Sequence, residues 1–528
     1  MNDLMAFILA LFPIGLILFL MVGLRWSAAR AGAAGYLSTL ILAVVYFGAG
    51  AELLAYAHAR ALLLAIDVLL IIWAAFLLYR VVDEAGAIRI IGLALPLLTP
   101  DKALQALLIG WIFASFLQGV GGFGVPVAVT APILIGLGFP PLTAVVVPSL
   151  GHGWAVTFGS MGSSFQALLA ATGLTQDYLA ATTALFLGIS CPIIGWMIVH
   201  LVCGWDGVRR LFWLVLLWGF VMGGIQYLVV KAGFWFIGAF IGAMFGLAVA
   251  IPMALRYRHE NYPQPVQTQP GSNPSGLSRP EPKSLIIALS GYAIVILVTL
   301  FFTIIPAVKE SLSGITLTLH FPQVVTRSGF VTPEGTGRTI VLLQHTGMVL
   351  VYSAILAYLV YRWAGCYNPG SIKRILSGTI RRVMGSSVSI FSMVTMAVIM
   401  ETTGMTDTLA KGLARGTGGF YPFFASWIGA LGAFITGSNT NSNVVFGGLQ
   451  MRTAEYLGYS LAVILAAQTA GAALASVVAP TKVVVGASTA SMAGKEGEIM
   501  RKLLVYVIPL VFIIGLLTVA AIWYSRRL

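Results

Sequence analysis

Charged residues are scarce in this sequence. Only 9% of its 528 residues are Asp, Glu, Lys or Arg, whereas ordinary soluble domains have about 25%. Hydrophobic residues make up 59% of the chain and occur in long runs. This composition excludes a soluble globular protein and predicts an all-α polytopic membrane protein, because a helix satisfies its own backbone hydrogen bonds in lipid.

Acidic residues are the scarcer of the two charge types. The chain has 17 Asp and Glu against 30 Lys and Arg, so its formal net charge is +13. Most of the basic excess falls between apolar runs, where the positive-inside rule places cytoplasmic loops. We therefore expect a lipid bilayer, and no nucleic acid, as its partner. The same rule predicts a multi-pass membrane protein with the N-terminus outside and the C-terminus in the cytoplasm.

The sequence also lacks the patterns of enzymes and cofactor-binding proteins. Its three cysteines, Cys191, Cys203 and Cys366, lie far apart or in apolar segments and form neither a disulfide nor a metal-binding pattern. It contains no His-x-x-x-His pair, no paired intramembrane carboxylates at helical spacing, and no nucleophile or nucleotide-binding motif. We expect no enzyme activity, no metal or cofactor, and no ATP-driven transport by this chain alone.

Long apolar runs mark about 12 membrane spans, at roughly 20 residues for each span. The second and third predicted spans are separated by a turn at Tyr56–Arg60. Residues 256–283, rich in Pro, Gln, Ser and Gly, predict a disordered cytoplasmic linker. An alternating run at 315–320 predicts a β-hairpin within an extracellular loop at 307–338. The predicted spans outside the interrupted regions are 4–24, 35–57, 61–80, 178–203, 210–230, 232–255, 284–306, 340–361, 383–400, 460–480 and 503–524.

Two apolar regions are interrupted by residues that do not suit a plain helix. Gln118–Pro126 contains four glycines, and Thr436–Asn443 contains seven hydroxyl or amide side chains. The apolar halves around the first break are too short to span a bilayer, which predicts re-entrant helical hairpins. Unpaired polar groups in hydrocarbon are costly, so such breaks are expected to line a wet cavity, where secondary transporters bind substrate.

The two broken regions, 104–164 and 421–482, align with one another from Trp111 and Trp427 onward. The first region follows a basic cytoplasmic loop, whereas the second follows an outward-going span. Two similar units that are entered from opposite sides predict inverted repeats, with the site at their interface near the membrane midplane. The predicted organisation is N-terminal spans at 1–60, a first repeat at 61–255, the linker at 256–283 and a second repeat at 284–528.

The motifs around both breaks are similar to those of a known family. Phe116–Val127, Gly136–Phe139, Thr436–Gln450 and Gly494–Glu496 resemble the signature of the L-lactate permease family. The resemblance covers most of the chain in order and spacing. It implies proton-driven uptake of lactate, glycolate or related 2-hydroxy monocarboxylates across the plasma membrane, which is the inner membrane in bacteria.

A second, remote resemblance concerns the tip of the second break. The triplet Ser438–Thr440 resembles the hairpin-tip motif of the divalent-anion/sodium symporters. It implies a scaffold domain and a moving transport domain in an elevator-like arrangement, which would suit a homodimer. The sequence departs from the permease pattern at Gln118, where the family has an acidic residue, and at His152, Glu401 and Lys482. These departures leave the proton carrier and the coupling ion open.

The polar breaks supply candidates for binding a small carboxylate. Half-helix N-termini offer free N–H groups and about half a positive charge each, and glycine lets the backbone approach a ligand. The alternative is that the amides only satisfy the hairpin backbone and that the lysine is a snorkelling residue at a helix end. The candidate substrate-binding residues are Gln118, Gly121, Gly122, Gly124, Ser438, Asn439, Thr440, Asn441, Ser442, Asn443 and Lys482.

Two ionisable residues are candidates for proton coupling. His152 lies between two glycines in a predicted break, and the usual histidine pKa of about 6.5 suits a proton carrier. The alternative for His152 is a hydrogen-bonded structural role. Glu401 ends a predicted span and is either a coupling group or an interfacial one. Glu52 and Asp67 fall inside predicted spans, where each either lines the cavity or pairs within the bundle.

The whole sequence predicts a secondary active transporter that imports a small organic anion. Proton symport of L-lactate or a related 2-hydroxy monocarboxylate is the first hypothesis. The main alternative is a sodium- or proton-coupled transporter of a sulfonate or dicarboxylate. An ion channel is the weaker alternative, because glycine-rich re-entrant loops also form selectivity filters, but these loops lack a fourfold repeat.

Overall fold

Helices account for nearly all of the structure, a computed structural model that describes residues 3–122, 124–261, 282–336 and 339–525. Among these residues, twelve helices are long and apolar enough to cross a membrane. This number agrees with the length of the apolar runs, which predicts about 12 spans. The all-α membrane class predicted from composition is confirmed.

The N-terminal helices differ from the predicted spans at one boundary. The turn predicted at Tyr56–Arg60 is wrong, because one 34-residue helix runs through it. The chain reverses earlier, at Gly48, which has a φ of +74°. His58 and Arg60 stay helical because His58 Nε2 lies 2.7 Å from the Tyr36 hydroxyl and Arg60 pairs with a distant glutamate. The helices are α1 (Asp3–Val22), α2 (Ala28–Val45), α3 (Ala51–Glu84) and α4 (Ala87–Ala94), followed by a 3₁₀ turn at Leu95–Leu97.

The first broken region forms a helical hairpin followed by a broken helix. The chain runs through a π-helical segment, turns at residues 121–124 and packs back against that segment, as predicted. The elements are α5 (Lys102–Gln105), the π-helix Ala106–Phe113, α6 (Ala114–Val120), α7 (Val125–Gly136), α8 (Pro141–Gly151), the 3₁₀ turn Gly153–Ala155 and α9 (Ser163–Thr172).

The central helices connect the two broken regions. Gly204 has non-helical backbone angles (φ +66°, ψ −164°) and divides α10 into two helices, which correspond to the predicted spans 178–203 and 210–230. The predicted linker is shorter than 256–283, because residues 256–261 continue a helix; residues 262–281 lie outside the described residues. The elements are α10 (Gln176–Lys231), the 3₁₀ turn Trp235–Ile237, α11 (Gly238–Asn261), α12 (Pro282–Ile304) and α13 (Pro306–Ser311).

The predicted β-hairpin is present as one long, interrupted antiparallel hairpin. It lies over the ends of α2 and α3, because the Arg327 amide donates to the Gly48 carbonyl at 2.8 Å and the third strand packs on α3. The Thr332 hydroxyl also donates to the Thr402 carbonyl at 3.0 Å. The paired strands are β1 (Thr316–Leu317) with β6 (Ile340–Val341), β2 (His320–Phe321) with β5 (Gly335–Thr336), and β3 (Val324–Val325) with β4 (Val331–Thr332).

The second broken region again forms a hairpin and a broken helix. Residues 405–417, which lie outside the predicted spans, form a helix. The elements are the 3₁₀ turn Leu342–Gln344, α14 (Thr346–Trp363), α15 (Ser371–Thr402), α16 (Met405–Thr417), the 3₁₀ turn Gly418–Phe420, α17 (Tyr421–Thr436), α18 (Asn439–Leu457), α19 (Leu461–Ala475), the 3₁₀ turn Ser476–Val478, α20 (Pro480–Thr489) and α21 (Glu496–Ser525).

The same order of elements therefore occurs twice. A helical hairpin, a broken helix and a long helix follow one another in α5–α10 and again in α17–α21. Helices α3 and α15 pack along each other, and α9 and α18 lie against them. This packing places the two breaks in the protein interior. The inverted relation of the two units stays a prediction.

Candidate functional site

Helix N-termini converge on one buried cavity. The first turns of α9, α18 and α20 line it, and the end of α6 and the loop before α9 complete its wall. Its volume of about 20 Å³ is close to the space needed for one water molecule. A larger ligand therefore has to push the lining side chains apart. These residues are Gln118, Val156, Ser160, Ser163, Ser164, Gly437, Ser438, Asn439, Thr440 and Lys482.

The electrostatics of this cavity favour an anion. Each helix N-terminus presents unpaired N–H groups and about half a positive charge. Lys482 lies in the first turn of α20, and its Nζ donates to the Ser476 hydroxyl at 2.9 Å. Among the described residues that line the cavity, Lys482 is the only charged one. Helix ends and the lysine together place net positive potential in a space without an acidic neighbour in its wall.

The first hairpin contributes Gln118 to the cavity. The Ser160 amide donates to the Gln118 carbonyl at 2.7 Å, so the end of α6 is tied to the loop before α9. Gln118 Oε1 and Ser163 Oγ are buried and have no hydrogen-bond partner within the described parts of the chain. Because unpaired buried polar groups are rare and costly, these two atoms are available to pair with a ligand.

Each hairpin tip closes on a hydroxyl group. Gly122 has a φ of +50°, and a Cβ there would lie 1.7 Å from Ser160 Oγ. Gly437 has a φ of +73°, and a Cβ there would lie 2.3 Å from Thr481 Oγ1. Ser160 and its neighbour Met161 themselves have left-handed φ values of +48° and +52°. Non-glycine residues in this region are strained, and such strain is concentrated at functional sites.

The second hairpin presents three polar residues to the cavity. The Ser438 hydroxyl caps α18 by accepting a hydrogen bond from the backbone N–H of Asn441 at 3.3 Å. Asn439 Nδ2 donates to the Thr157 hydroxyl at 3.0 Å, which links the two breaks. The Thr440 hydroxyl lies 3.0 Å from the Ser164 hydroxyl.

The other three candidate residues of this tip point elsewhere. Asn441 Nδ2 donates to the Ser389 hydroxyl of α15 at 3.0 Å. The Ser442 hydroxyl donates to the Gly429 carbonyl at 2.8 Å, inside the second hairpin. Asn443 Nδ2 donates to the Ser164 carbonyl and the Thr469 hydroxyl, both at 2.9 Å. These side chains hold α18 in place and do not line the cavity, which is the structural alternative left open by the sequence.

Comparison with known proteins identifies the family. The model of the family described as L-lactate permease matches residues 6–524. The chain belongs to the L-lactate permease family. This is a family of permeases and not of enzymes.

Two characterised relatives show how far this permease has diverged. It is 29% identical over 396 residues to an L-lactate permease from Streptococcus iniae, covering 74% of this chain and 78% of that protein. It is 26% identical over 538 residues to the glycolate permease GlcA from Escherichia coli K12, covering 97% of this chain and 94% of that protein.

One solved structure has a similar fold. It is MtrF from Neisseria gonorrhoeae, described as illuminating a class of antimetabolite efflux pumps. The TM-score is 0.52 at 14% sequence identity, over 93% of this chain and 94% of that chain. At this level of identity the similarity concerns the fold alone.

The remaining predicted site residues of this permease lie outside the cavity wall. Gly121 packs against Tyr79, and Gly124 starts α7 beside Val485 of α20. Helix α20 therefore contacts both hairpin tips: Val485 lies beside Gly124 of the first tip, and Thr481 lies beside Gly437 of the second. These two glycines shape the turn and do not line the cavity.

Neither proton-coupling candidate lines the cavity either. His152 ends α8, its Nδ1 donates to the Pro148 carbonyl at 2.6 Å, and its buried Nε2 has no partner among the described residues. Glu401 pairs with Arg60 at 3.2 Å. Glu401, Arg60 and Arg452 line a different cavity of about 460 Å³ beneath the β-hairpin. Proton coupling through either residue stays a prediction.

The sequence interpretation missed part of the cavity wall. Ser160 and Ser163 lie in the Gly- and Ser-rich run 158–164, which marks the break but was not assigned to the binding site. That run was the available signal. Thr157 and Thr469, which lie 3.2 Å apart and join the two breaks, are single hydroxyl residues in apolar segments and carry no such signal.

The contact between Gly122 and Ser160 predicts a rescue experiment. Gly122→Ala should lower the free energy of unfolding of the purified permease by about 1–3 kcal/mol and weaken ligand binding. The new Cβ would clash with Ser160, and alanine would be forced into a left-handed backbone conformation. Adding Ser160→Gly removes the overlapping hydroxyl and should restore part of the melting temperature. Gly136→Ala, with no atom within 4 Å of its new Cβ, is the matched control and should melt like the parent. Equal melting of Gly122→Ala and the parent would contradict the close contact.

Proposed function

We propose that this permease imports a small organic anion, in the first place L-lactate or a related 2-hydroxy monocarboxylate, by proton symport. The observation that carries the proposal is the convergence of three helix N-termini on a cavity whose only charged wall residue, among those described, is Lys482. One positive side chain matches one carboxylate. Relatives named for L-lactate and glycolate, both 2-hydroxy monocarboxylates, support the same substrate class.

The unpaired polar atoms of the cavity suit a 2-hydroxy acid. Gln118 Oε1 can accept a hydrogen bond from the substrate hydroxyl, and Ser163 Oγ can donate one to the carboxylate. A site built to bind a hydroxyl discriminates against an analogue that lacks it, because its buried polar group is then left unpaired. Propionate, which lacks the 2-hydroxyl group, is therefore expected to bind less tightly than L-lactate.

The charge of the substrate supports its co-transport with a cation, for which we propose the proton. Moving one negative charge into a cell against a potential of 100 mV costs about 2.3 kcal/mol. A proton that enters with the anion removes this cost, because the transported pair is neutral. His152 and Glu401 stay the candidates that the sequence supplies for carrying that proton.

The proposal is tested by uptake into proteoliposomes. Radiolabelled L-lactate should accumulate when the outside is acidic, and a one-unit pH gradient should drive about tenfold accumulation at equilibrium for one proton. A protonophore should abolish the accumulation and a sodium gradient should not replace the proton gradient. Unlabelled glycolate should compete, and propionate should need about tenfold or higher concentrations. Liposomes without protein are the control.

Other outcomes identify the alternatives. Accumulation driven by sodium would establish sodium coupling. Lactate flux that depends on neither the proton nor the sodium gradient would indicate a uniporter if it saturates with lactate concentration, and a channel if it does not. No lactate uptake by folded protein would move the search to sulfonates and dicarboxylates. The cavity wall gives a dicarboxylate a single cationic partner, so the monocarboxylate is favoured.

A further inference from the structure

A buried carboxylate joins three elements near the cavity. Asp67, in the middle of α3, is only 2% exposed. Its Oδ1 lies 2.9 Å from Nε2 of His345, at the start of α14, and its Oδ2 lies 2.5 Å from Nε2 of Gln166, on α9. The three residues are far apart in sequence and come together only in the fold.

The hydrogen-bond directions define the protons of this cluster. The Gly347 amide donates to Nδ1 of His345 at 3.1 Å, so Nδ1 carries no proton. His345 therefore holds its proton on Nε2 and donates it to Asp67, while the Gln166 amide donates to the other oxygen. Each of the two carboxylate oxygens of Asp67 therefore accepts a hydrogen bond, one from His345 and one from Gln166.

We propose that Asp67, His345 and Gln166 form a proton-binding site that couples protonation to the position of α9. A proton that adds to Oδ2 turns this atom from an acceptor into a donor. Gln166 Nε2 is itself a donor and cannot accept, so the amide has to turn or the bond between α3 and α9 has to break. The proton arrives from the acidic side and leaves on the other side when the carboxylate ionises again, so none is consumed.

This cluster is connected to the anion cavity through α9. Gln166 follows Ser163 by three residues, which is about one helical turn. Ser163 and Ser164, in the first turn of α9, line the cavity, and Ser164 bonds to both Thr440 and Asn443 of the second hairpin. A change in the Asp67–Gln166 bond therefore acts on the helix that supplies Ser163 and Ser164 to the cavity wall.

Titratable groups also lie on some of the described elements that pack against α3. Helices α6 and α9 and strand β3, which pack against α3, contain no titratable side chain. On α14, the Tyr352 hydroxyl donates to the Leu343 carbonyl at 3.4 Å. On α15, Glu401 is paired with Arg60, which precedes Asp67 by seven residues, or about 10 Å along the helix. The other titratable groups of α3, α4, α14 and α15 lie nearer to the ends of these helices.

The first test needs no substrate. Infrared difference spectra of the full-length permease in lipid nanodiscs, recorded between neutral and acidic pH, should show the carbonyl band of a protonated buried carboxyl group. Asp67→Asn should remove the band. Glu52→Gln, which removes an exposed carboxylate from the same helix, and His152→Gln should keep it. A band that survives in Asp67→Asn, or no band in the parent, overturns the proposal.

The second test measures coupling and rests on the proposed function. In the parent, a one-unit pH gradient should drive about tenfold accumulation of L-lactate, and Asp67→Asn should not show this accumulation. The variant should nevertheless exchange internal for external L-lactate about as fast as the parent. His345→Gln should weaken accumulation in the same direction, and Glu52→Gln should accumulate normally. Normal accumulation by Asp67→Asn, or loss of exchange as well in a variant that melts like the parent, overturns the coupling role.

The two tests separate this proposal from the proposed function. If the parent does not transport L-lactate but Asp67→Asn removes the infrared band, the substrate is wrong and the proton site stands. If the parent accumulates L-lactate with protons but the band does not depend on Asp67, only the proton site is overturned.

Discussion

Lys482→Met should weaken the binding of L-lactate by about 10- to 150-fold. Lys482 is the only charged side chain among the described residues of the cavity wall, and methionine keeps its length and apolar stem. Hydrogen bonds to charged groups contribute about 1.5–3 kcal/mol. Their loss weakens binding by about 10- to 150-fold, because each 1.4 kcal/mol is tenfold. Isothermal titration calorimetry of the purified permease with L-lactate measures the change in Kd.

Two further variants make this result specific. Lys373→Met removes an exposed lysine at the start of α15 and should leave the Kd unchanged. Lys482→Arg keeps the charge but enlarges the side chain in a cavity with little free space, so intermediate binding is expected. A Kd of Lys482→Met equal to that of the parent would exclude the lysine from anion binding and would refute this location of the site.

Asn439→Ala and Asn441→Ala should differ sharply, although both asparagines belong to the same polar tip. Asn439 lines the cavity and donates to Thr157, so its loss removes a cavity donor and the link between the breaks. We expect at least about tenfold weaker binding, together with a lower melting temperature. Asn441 instead donates to Ser389 of α15. Its loss should lower the melting temperature but change the L-lactate Kd by no more than about twofold, because Asn441 does not line the cavity.

Each asparagine variant is the control for the other, because the substitution is the same and the positions are two residues apart. Calorimetric binding and thermal unfolding should be measured on both. Equal loss of affinity in the two variants would mean that the whole tip acts as one unit. Unchanged affinity in Asn439→Ala would remove the second hairpin from the binding site.

The locations of both hairpin tips could be predicted from the sequence, because polar and glycine-rich breaks in apolar runs are a local signal. Thr436–Asn443 and Gln118–Pro126 indeed mark turns, and their flanking residues Gln118, Ser438, Asn439 and Thr440 line the cavity. The same local signal is present in the Gly- and Ser-rich run 158–164, whose serines also line the cavity. Local polarity thus identifies where the backbone stops being helical in a membrane protein.

The direction in which each polar side chain points could not be predicted, because it depends on partners far away in sequence. Asn441 is turned from the cavity by Ser389, and Asp67 is paired with a histidine 278 residues later. The same reason explains why the turn predicted at Tyr56–Arg60 is absent from the structure. Arg60 stays within α3 because Glu401, 341 residues away, neutralises it. A sequence shows that such charges are costly in a membrane but not which group compensates them.

The contact of α20 with both hairpin tips has a consequence for the order of protein synthesis. Both hairpins have been synthesised before residue 480 is added, yet Thr481, Lys482 and Val485, which complete the contacts at the tips and the cavity, are still missing. A nascent chain therefore inserts most of its helices before it has an anion site. The site is completed only near the end of translation, so a chain truncated before α20 retains both hairpins but cannot bind the anion through its lysine.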